Sequence, residues 1–498
     1  MRSITLWVDG KPLESKTERW GEVFNPATGE QTAKVPFATP AEVEAVIASA
    51  TAAQAKWGRM SISRRTEVLF AFRHLVFEHR HELAALITAE HGKTLDDALG
   101  EVSRGLENIE YACGLGEHLK GEFSSQMSTG IDVHSLRQPV GVVAGITPFN
   151  FPVMVPMWMT ANAIACGNAM ILKPSEKDPS ASMRIAELLK EAGLPDGVFN
   201  VLHGDAEIVG ALLEHKGVGA ISFVGSTPIA KSIYERGTMA GKRVQALGGA
   251  KNHMLVLPDA DIDVAADAAV SAAYGSAGER CMAISVLVAV GDVADKMIDA
   301  IAERMAALRI GAGDAEGTEM GPLISKIHRD KVAAYVEGAA AEGAKVCVDG
   351  SNLEVSTANK GGFFFGPSLI DNVRPGMKVY DDEIFGPVLG VVRVDTYDEG
   401  IELINSNPYG NGVAIFTRDG GAARQFTVDI EVGMVGVNVP VPVPVASYSF
   451  GGWKDSLFGD THMYGPEGID FFTRTKVVTT RWPDPSTSEI NLGFPTTR

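Results

Sequence analysis

The segment from Gly141 to Leu172, GVVAGITPFNFPVMVPMWMTANAIACGNAMIL, contains no charged residue and decides the fold class of this 498-residue chain. An uncharged run of this length is also what a membrane-spanning helix requires. Its prolines and asparagines argue against a span, because proline breaks helices and amides are costly in lipid; they are Pro148, Pro152, Pro156, Asn150, Asn162 and Asn168. The better interpretation is a buried strand (142–146), a turn, a helix to about Cys166 and a second buried strand (169–172). Together these form a βαβ unit of a parallel sheet.

Residues that follow the strands are typical of a nucleotide site. Lys173-Pro-Ser-Glu176 comes at the carboxyl end of the second strand, where open α/β sheets bind ligands. A cation and a carboxylate three residues apart suit the hydroxyls of an adenine ribose, although a surface Lys-Glu pair explains this tetrapeptide at least as well. Gly225-Ser226 lies between a strand and a helix that begins near Pro228, which predicts free N–H groups for a phosphate. No Gly-x-Gly-x-x-Gly fingerprint is present, so this is an atypical dinucleotide site.

Hydrophobic periodicity predicts α/β structure on both sides of this unit. Short strands and turns at 4–36 precede three helices and a strand; we expect the helices at Pro40 to Ala55, Ser63 to His91 and Leu95 to Leu119, and the strand at Ile131 to Leu136. A second α/β domain is predicted from a strand and a helix at 286–310, a helix at 324–343, and strands at 362–371 and 388–394. The segment 468–482 alternates like a strand. The active site is expected in the cleft between the two domains.

The charge balance argues against polyanionic partners. Lys and Arg number 44 against 62 Asp and Glu, which gives a net charge of -18 with no basic run to relieve it. We therefore expect a small-molecule substrate, no nucleic acid and no membrane. The four cysteines are Cys113, Cys166, Cys281 and Cys347, and their spacing is not that of a zinc site. We therefore expect no metal site. We expect the thiols to be reduced and the protein to be cytoplasmic.

The stretch Tyr274-Gly-Ser-Ala-Gly-Glu-Arg-Cys-Met282 places Cys281 behind two glycines and directly after Arg280. A neighbouring cation lowers the pKa of a thiol, and glycines let another molecule approach the backbone, which together suit a covalent nucleophile. From this stretch alone a buried structural cysteine is the better interpretation, because free cysteine usually behaves as a small hydrophobe. The rest of the chain reverses that preference.

Seven motifs extend in order over nearly the whole chain. They are Pro148-Phe-Asn-Phe-Pro152, Lys173-Pro-Ser-Glu176, Phe223-Val-Gly-Ser-Thr227, Leu247-Gly-Gly-Ala-Lys251, Cys281, Glu383-Ile-Phe-Gly-Pro387 and Phe450-Gly-Gly-Trp-Lys454. In order and approximate spacing they resemble the aldehyde dehydrogenase superfamily. The resemblance implies an α/β fold with a Rossmann-type NAD-binding domain (1–118 and 139–248), an α/β catalytic domain (249–449) and a small β oligomerisation arm (119–138 and 468–498). It also implies a homodimer or homotetramer, in which the arm is paired.

Roles for single residues follow from the same resemblance. Cys281 matches the nucleophile, and Asn150 with the backbone N–H of Cys281 matches the oxyanion hole. The other matches are contacts to NAD: the adenosine ribose through Lys173 and Glu176, the pyrophosphate through Ser226, and the nicotinamide ribose through Glu383 and Phe385. Further expected NAD contacts are Thr147, Pro148, Phe149, Ser175, Gly225 and Leu247.

One position departs from the common pattern. Most of the superfamily has a glutamate just before Leu-Gly-Gly, where it activates water, whereas this chain has Ala246. A thioester that water does not attack efficiently can pass to another thiol, because thiolates are strong nucleophiles, and the expected acceptor is coenzyme A. The alternative is that His253 or a chain of waters replaces the lost carboxylate, so that hydrolysis releases a free carboxylic acid.

Two passages, Gly249-Ala-Lys-Asn-His-Met254 and Gly278-Glu-Arg-Cys-Met282, resemble the CoA-acylating methylmalonate-semialdehyde dehydrogenase branch. In that branch arginines at the places of Arg104 and Arg280 hold the carboxylate of the substrate, which guanidinium groups bind bidentately. The resemblance implies NAD-dependent oxidation of methylmalonate semialdehyde or malonate semialdehyde to propionyl-CoA or acetyl-CoA, with loss of CO2. For Arg104 the alternative is a solvated surface arginine.

Overall fold

Two large sheets, each covered by helices, organise residues 1–482, which are the residues that this computed structural model describes. The strands are, in chain order, β1 (Arg2–Ser3), β2 (Leu6–Val8), β3 (Lys11–Leu13), β4 (Trp20–Asn25), β5 (Glu30–Pro36), β6 (Phe123–Ser128), β7 (Ile131–Pro139), β8 (Val142–Ile146), β9 (Ala169–Lys173), β10 (Phe199–Val201), β11 (Ala220–Val224), β12 (Arg243–Leu247), β13 (Asn252–Val256), β14 (Ile284–Val290), β15 (Lys345–Val348), β16 (Ser368–Asp371), β17 (Val388–Val394), β18 (Tyr409–Gly410), β19 (Gly412–Phe416), β20 (Met434–Val437), β21 (Trp453–Lys454), β22 (Leu457–Phe458) and β23 (Thr473–Arg481). The α-helices are α1 (Pro40–Trp57), α2 (Ile62–Glu78), α3 (Arg80–His91), α4 (Leu95–Cys113), α5 (Leu115–His118), α6 (Met154–Ala165), α7 (Ser180–Glu191), α8 (Ala206–Glu214), α9 (Thr227–Met239), α10 (Ile262–Tyr274), α11 (Val293–Ala307), α12 (Lys326–Ala339), α13 (Lys378–Asp381), α14 (Tyr397–Ser406), α15 (Gly420–Asp429) and α16 (Gly465–Phe472).

An eight-stranded sheet contains the βαβ unit that the uncharged run predicts. Its order is β22-β12-β11-β8-β9-β10-β2-β3. β8 and β9 are parallel neighbours, with Val142 opposite Ala169, and α6 connects them, which confirms the unit. The strands β12, β11, β8, β9 and β10 all run parallel, so their carboxyl ends lie along one edge of the sheet.

Burial explains why residues 141–172 carry no charge. Every residue of β8, α6 and β9 is buried, because α6 packs between the sheet and the helices α2 and α4. Helices α2, α3, α4, α6 and α7 share one core on this face, and α1, α8 and α9 form another on the opposite face. A parallel sheet covered on both sides needs apolar residues on both faces of its strands. Within residues 1–482, no helix is both long enough and apolar enough to cross a membrane.

A seven-stranded sheet is built from residues beyond Leu247. Its order is β15-β16-β17-β14-β13-β19-β20, and its strands are parallel except for the pair β15 and β16. Helices α10, α11, α12, α14 and α15 contribute residues to its core. The prediction of a second α/β unit is confirmed.

A separate three-stranded sheet has the order β23-β7-β6. β23 runs antiparallel to β7, from Thr473 opposite Pro139 to Arg481 opposite Ile131. The strand predicted over 468–482 is wrong at its start, because 468–472 belongs to α16. Phe471 and Phe472 of that helix are buried in the core that α6 shares. The rest of the predicted arm, 483–498, lies outside the described residues.

Two predicted helices are interrupted. The helix expected from Ser63 to His91 is two helices, because His79 between α2 and α3 has non-helical backbone angles (φ -94°, ψ 13°). The helix expected from Leu95 to Leu119 ends at Cys113, and the single turn α5 follows.

The strand predicted over 362–371 begins only at Ser368. The segment before it is a loop in which Phe363 N–H donates to the Pro26 carbonyl, and the Phe363 carbonyl accepts from the Leu323 N–H. These two bonds satisfy the backbone of Phe363 in place of hydrogen bonds to a neighbouring strand. The predicted domain limits stay a prediction. β22, which lies beyond position 449, pairs with β12 of the eight-stranded sheet.

Candidate active site

A cleft of about 510 Å³ lies where β8, β9 and β11 end. Eight of the predicted cofactor residues line it: Thr147, Pro148, Phe149, Lys173, Ser175, Glu176, Gly225 and Ser226. The strand order explains this grouping, because residues that follow neighbouring parallel strands meet at the same edge of a sheet. The predicted place of 173–176 at the carboxyl end of a strand is confirmed.

The chemistry of this cleft fits a dinucleotide. Lys173 is buried, and its Nζ lies 3.4 Å from Glu176 Oε2, so a donor and an acceptor are held together in the wall. Ser226 is the N-cap of α9, a helix of 13 residues, and its side chain does not cap that helix. In the first turn of α9, Pro228 has no N–H and the Ile229 N–H donates to the Ser226 carbonyl at 3.1 Å, which leaves the Thr227 N–H for a phosphate. The negative charge of Glu176 disfavours a 2′-phosphate, which favours NAD.

Cys281 lies on a strained loop between α10 and β14. Ser276, Ala277 and Gly278 all have positive φ, at 55°, 51° and 74°. Such backbone is costly for residues with a Cβ and is concentrated at functional sites. Position 278 requires glycine, because a Cβ there would overlap the carbonyl of Gly386. The loop of Cys281 therefore packs directly on the loop before β17.

Two amides hold the backbone of Cys281. Asn252 Nδ2 and Asn411 Nδ2 donate to the Cys281 carbonyl at 2.9 and 3.0 Å. Asn252 also donates to the Ala283 carbonyl at 2.9 Å, and its Oδ1 accepts from the Gly412 N–H at 2.9 Å. Cys281 is thus fixed near the starts of β13 and β14, and the residue is half-buried.

A smaller pocket contains Cys281, Glu383 and Phe385 in its wall. Phe385 has a φ of 59°, another strained position. Its ring meets the ring of Phe149 edge to face, with centroids 5.9 Å apart. Because Phe149 lines the cofactor cleft, this contact joins the two pockets.

Backbone groups and a buried lysine hold the loop of Glu383. Glu383 Oε1 accepts from the Ala250 N–H at 2.9 Å, and a Cβ at Gly249 would overlap Oε2. Lys251 Nζ donates to two carbonyls of the turn before Glu383, at 2.8 and 2.7 Å. Burial raises the pKa of Glu383 and lowers that of Lys251 to about 8.

The surroundings of Cys281 favour the protonated form of its thiol. Burial raises its pKa to about 12, and the Glu383 carboxylate acts in the same direction. The lowering by Arg280 that the sequence suggests is present but outweighed. Arg280 Nη2 donates to Asp97 Oδ1 at 2.6 Å, which neutralises much of its charge.

A buried ion pair holds the turn that contains Asn150. Lys93 Nζ lies 2.9 Å from Glu101 Oε2 and donates to the Asn150 carbonyl at 2.6 Å. Glu101 Oε1 accepts the N–H groups of Val153 and Met154 at the start of α6, at 2.8 and 3.1 Å. Within residues 1–482 the side-chain amide of Asn150 makes no hydrogen bond, so it is available to a ligand.

The two arginines predicted to bind substrate are each paired with a carboxylate of α4. Arg280 pairs with Asp97 at 2.6 Å, and Arg104 with Glu107 at 2.8 Å. Arg104 Nη2 also donates to two carbonyls of the loop at 443–444, at 3.0 and 3.1 Å. Arg104 is thus anchored rather than solvated, and its contact with a substrate stays a prediction.

Three other predicted positions lie away from the cleft wall. Leu247 is buried at the end of β12, and its carbonyl accepts from the Gly225 N–H at 3.1 Å, so it supports the glycine turn. Ala246 is buried in the core beside it. His253 Nε2 lies 3.1 Å from the Tyr380 hydroxyl, and burial lowers the pKa of His253 to about 3. Neither Ala246 nor His253 offers a base for water.

Comparison with known proteins decides the family. The sequence model of the Aldehyde dehydrogenase family matches residues 13–478. This chain belongs to the aldehyde dehydrogenase family. A malonate-semialdehyde dehydrogenase of Pseudomonas aeruginosa is 56% identical to this aldehyde dehydrogenase over 479 residues, which are 96% of each chain.

Two further relatives are similar over almost the whole length. An acylating methylmalonate-semialdehyde/malonate-semialdehyde dehydrogenase from mitochondria of Rattus norvegicus is 46% identical over 482 residues, or 97% of this chain and 90% of the rat protein. A Sinorhizobium meliloti protein assigned as a methylmalonate-semialdehyde dehydrogenase was solved with NAD. It is 50% identical, with a TM-score of 0.96 over 98% of this chain and 99% of its own.

Sequence reasoning missed the residues that hold this aldehyde dehydrogenase site together. Lys93, Asp97 and Glu101 lie in or just before an amphipathic helix, where charges are usually solvated, and nothing in the sequence marks their burial. Asn252 could have been singled out from the sequence, because it lies in the passage 249–254 that resembles the CoA-acylating branch. In the described part of the chain, no group of three side chains is placed to hold a metal ion.

Proposed function

We propose that this aldehyde dehydrogenase oxidises malonate semialdehyde or methylmalonate semialdehyde with NAD, transfers the acyl group to coenzyme A and releases CO2. The products are acetyl-CoA or propionyl-CoA. One observation carries the proposal: a cysteine shares a pocket with Glu383, while position 246, where most of the family has its general base, is alanine. The names of the relatives support it, since one is a malonate-semialdehyde dehydrogenase and another is called acylating.

The first half-reaction begins at the Cys281 sulfur. The thiol loses its proton and the sulfur adds to the aldehyde carbon, so that the carbonyl oxygen becomes an alkoxide. The Asn150 amide and the Cys281 backbone N–H stabilise this charge. NAD supplies the hydride acceptor when it is bound. Loss of the hydride from the former aldehyde carbon leaves a thioester on Cys281.

The cofactor residues have separate roles in this proposal. Lys173 and Glu176 bind the hydroxyls of the adenosine ribose, and Ser226 with the first turn of α9 binds the pyrophosphate. Glu383 and Phe385 bind the nicotinamide ribose. The remaining wall is formed by Thr147, Pro148, Phe149, Ser175 and Gly225, with Leu247 supporting the turn at Gly225.

The second half-reaction transfers the acyl group to the thiol of coenzyme A. The incoming sulfur attacks the thioester carbon, the bond to Cys281 Sγ breaks, and the proton of the coenzyme A thiol is released. Ala246 cannot activate water, and His253 is buried and bonded to Tyr380. A thiol needs less activation than water, so transfer is favoured over hydrolysis.

The substrate carboxylate is assigned to Arg104 and Arg280. Each guanidinium already bonds one carboxylate of α4 and is still partly exposed, with 31% and 23% of its side chain accessible. Because a guanidinium has five N–H donors, a substrate carboxylate can join either pair. In decarboxylation the bond between the carboxylate carbon and the neighbouring carbon breaks, CO2 leaves, and that carbon takes up a proton from water.

Omission of coenzyme A tests the proposal. NADH absorbance is followed after malonate semialdehyde and NAD are mixed with the enzyme. Without coenzyme A we expect one burst of NADH per active site; with it, steady turnover and acetyl-CoA. Cys281→Ser should show neither, and the matched variant Cys113→Ser should show both. Steady turnover without coenzyme A, with a free carboxylic acid as product, would support hydrolysis instead.

We also infer a homodimer or homotetramer in the cytoplasm. Within residues 1–482, β6 is one of the two edge strands of the three-stranded sheet, and its Phe123 and Met127 are 66% and 60% exposed. Exposed apolar edge strands are normally paired in the assembled protein. The four cysteines are free, as is usual in a reducing compartment.

A further inference from the structure

A buried carboxyl group lies two residues before the nucleophile. Glu279 has no exposed surface, and its Oε1 accepts from the Ile324 N–H at 3.2 Å. Its Oε2 has no hydrogen-bond partner within residues 1–482. An orphaned buried oxygen is costly, and the steps above give this one no role.

Two histidines face this carboxyl group. His91 Nε2 is 3.7 Å from Glu279 Oε2 and is likewise buried without a partner in the described chain. His91 Nδ1 accepts from the Lys93 N–H at 3.3 Å, so the neutral ring carries its proton on Nε2, toward Glu279. His328 Nε2 lies 3.7 Å from Glu279 Oε1. A movement of less than about 1 Å would turn the gap between His91 and Glu279 into a hydrogen bond. His328 Nε2 already donates its single proton to the Phe385 carbonyl, so it contacts Glu279 without a hydrogen bond.

The same histidines contact both loops of the proposed cofactor site. The ring of Phe149, in the wall of the cofactor cleft, stacks on His91 with centroids 5.9 Å apart and meets His328 edge on at 6.5 Å. His328 Nε2 also donates to the Phe385 carbonyl at 2.6 Å. Glu279, in the loop of Cys281, therefore lies next to the two histidines that contact the loops of Phe149 and Phe385.

We propose that Glu279 is a positioning residue for Cys281. Through a hydrogen bond to His91 and contact with His328, it sets the loop of Cys281 against the turn of Asn150 and the loop of Glu383. The inference rests on Cys281 being the nucleophile of the proposed function. A ligand that displaces the ring of Phe149 also displaces the ring of His91 stacked on it, which brings His91 Nε2 into hydrogen-bond distance of Glu279 Oε2.

The surroundings of Glu279 favour its protonated form. Burial raises the pKa of Glu279 to about 8, against the smaller lowering by Lys177 and Lys93. Burial also lowers the pKa of His91 and brings that of His328 to about 4, so both rings are neutral.

Two charge pairs complete the surroundings of this cluster. They are Lys93 with Glu101 and Arg280 with Asp97. Above about pH 8 Glu279 becomes an anion within about 7 Å of the nucleophile along the backbone. That anion opposes formation of the Cys281 thiolate.

The test compares Glu279→Gln, Glu279→Leu and His91→Gln with His81→Gln, a matched control on the exposed side of α3. Two rates are measured from about pH 6.5 to about pH 9.5: the NADH burst with malonate semialdehyde, and iodoacetamide alkylation of the Cys281 peptide. Glu279→Gln should stay within about threefold of wild type near pH 7, since an amide replaces the hydrogen bonds of a protonated carboxyl. Above pH 8 it should exceed wild type, because it cannot ionise.

The other variants separate positioning from general stability. Glu279→Leu and His91→Gln should lose about tenfold or more of the burst rate with little change in KM for NAD, and His81→Gln should lose nothing. A constant ratio of wild-type to Glu279→Gln rates across the pH range would overturn the proposal, as would an unchanged burst in folded Glu279→Leu.

Two further controls keep the test decisive. If circular dichroism shows that Glu279→Leu does not fold, the pH dependence of the ratio of wild-type to Glu279→Gln rates is sufficient to test the proposal. Alkylation needs neither aldehyde nor coenzyme A, so its pH ratio stays informative if the substrate proposal fails. A burst that survives in Cys281→Ser would refute the proposed nucleophile separately.

Discussion

Opposing effects act on the thiol of Cys281. Burial and the carboxylate of Glu383 raise its pKa, whereas Arg280 lowers it. Because Arg280 is bonded to Asp97, part of its charge is neutralised before it acts on the sulfur. The reactivity of the thiol should therefore respond more to the charge at position 383 than to the charge at position 280.

Replacement of Glu383 by glutamine tests this balance. With the carboxylate gone, the pH profile of Cys281 alkylation by iodoacetamide should shift to lower pH by about one unit. Glu337→Gln, at an exposed position of α12, is the control and should leave the profile in place. An unshifted profile in Glu383→Gln would show that burial alone sets the pKa of the thiol.

Recognition of the substrate carboxylate is tested at Arg104. Arg104→Gln should raise KM for malonate semialdehyde by about 10- to 100-fold and leave KM for propanal nearly unchanged, since propanal has no carboxylate. Arg73→Gln, which breaks the exposed pair with Glu110, should affect neither. An equal rise for both aldehydes would mean that Arg104 acts only by anchoring the loop at 443–444.

Single residues could be predicted where a motif names them. Residues 147–149 and Lys173, Ser175 and Glu176 were expected in one site and share one cleft. Asp97, the partner of Arg280, lies 183 positions away and could not be inferred from neighbours in the sequence. The burial of Glu279 likewise depends on residues far from it in the sequence, namely His91, Ile324 and His328.

At the scale of elements, the turn between β8 and α6 depends on charges from elsewhere. Lys93 precedes α4 and Glu101 lies within it, and together they bond one carbonyl and two N–H groups of the turn and the first turn of α6. Both side chains are fully buried. Removal of one partner leaves the other as an unpaired buried charge.

Lys93→Met should therefore lower the free energy of unfolding by about 3–5 kcal/mol. The exposed pair Lys120–Glu117 is the matched control, and Lys120→Met should change it by less than about 0.5 kcal/mol. Urea unfolding followed by circular dichroism measures both. The NADH burst of Lys93→Met should also slow, because Asn150 loses its support. Equal stability of the two variants would exclude a structural role for the buried pair.

Elements whose hydrophobic pattern fits only one type of secondary structure were predicted well. Elements whose pattern fits both a strand and a helix were not. The strand 142–146 has the expected limits, and the predicted 169–172 is one residue longer. The segment 468–472 alternates like a strand but is helical, because packing of Phe471 and Phe472 overrides local β propensity. The break at His79 has no glycine or proline to mark it.

For the whole molecule, buried titratable groups make stability depend on pH. The pKa of Glu279 is raised by burial from 4.5 to about 8. Protonation of this group stabilises the folded state fully below about pH 4.5, and that contribution is lost as pH rises through about 8.

Comparison with Glu279→Gln isolates this contribution. Between about pH 5 and pH 9 the wild type should lose about 4 kcal/mol relative to Glu279→Gln, which has no proton to lose. Urea unfolding of both proteins at several pH values measures the difference. Parallel stability curves would mean that Glu279 does not titrate in the folded protein as described.

The central claim is that the substrate carbon is covalently bound to Cys281 until coenzyme A takes it. The most direct measurement is the mass of the Cys281 peptide after the enzyme is mixed with malonate semialdehyde and NAD, without coenzyme A, and quenched in acid. We predict an acyl group on that peptide, which disappears as acetyl-CoA forms when coenzyme A is added before the quench. An unmodified Cys281 peptide from enzyme that continues to reduce NAD would contradict the account.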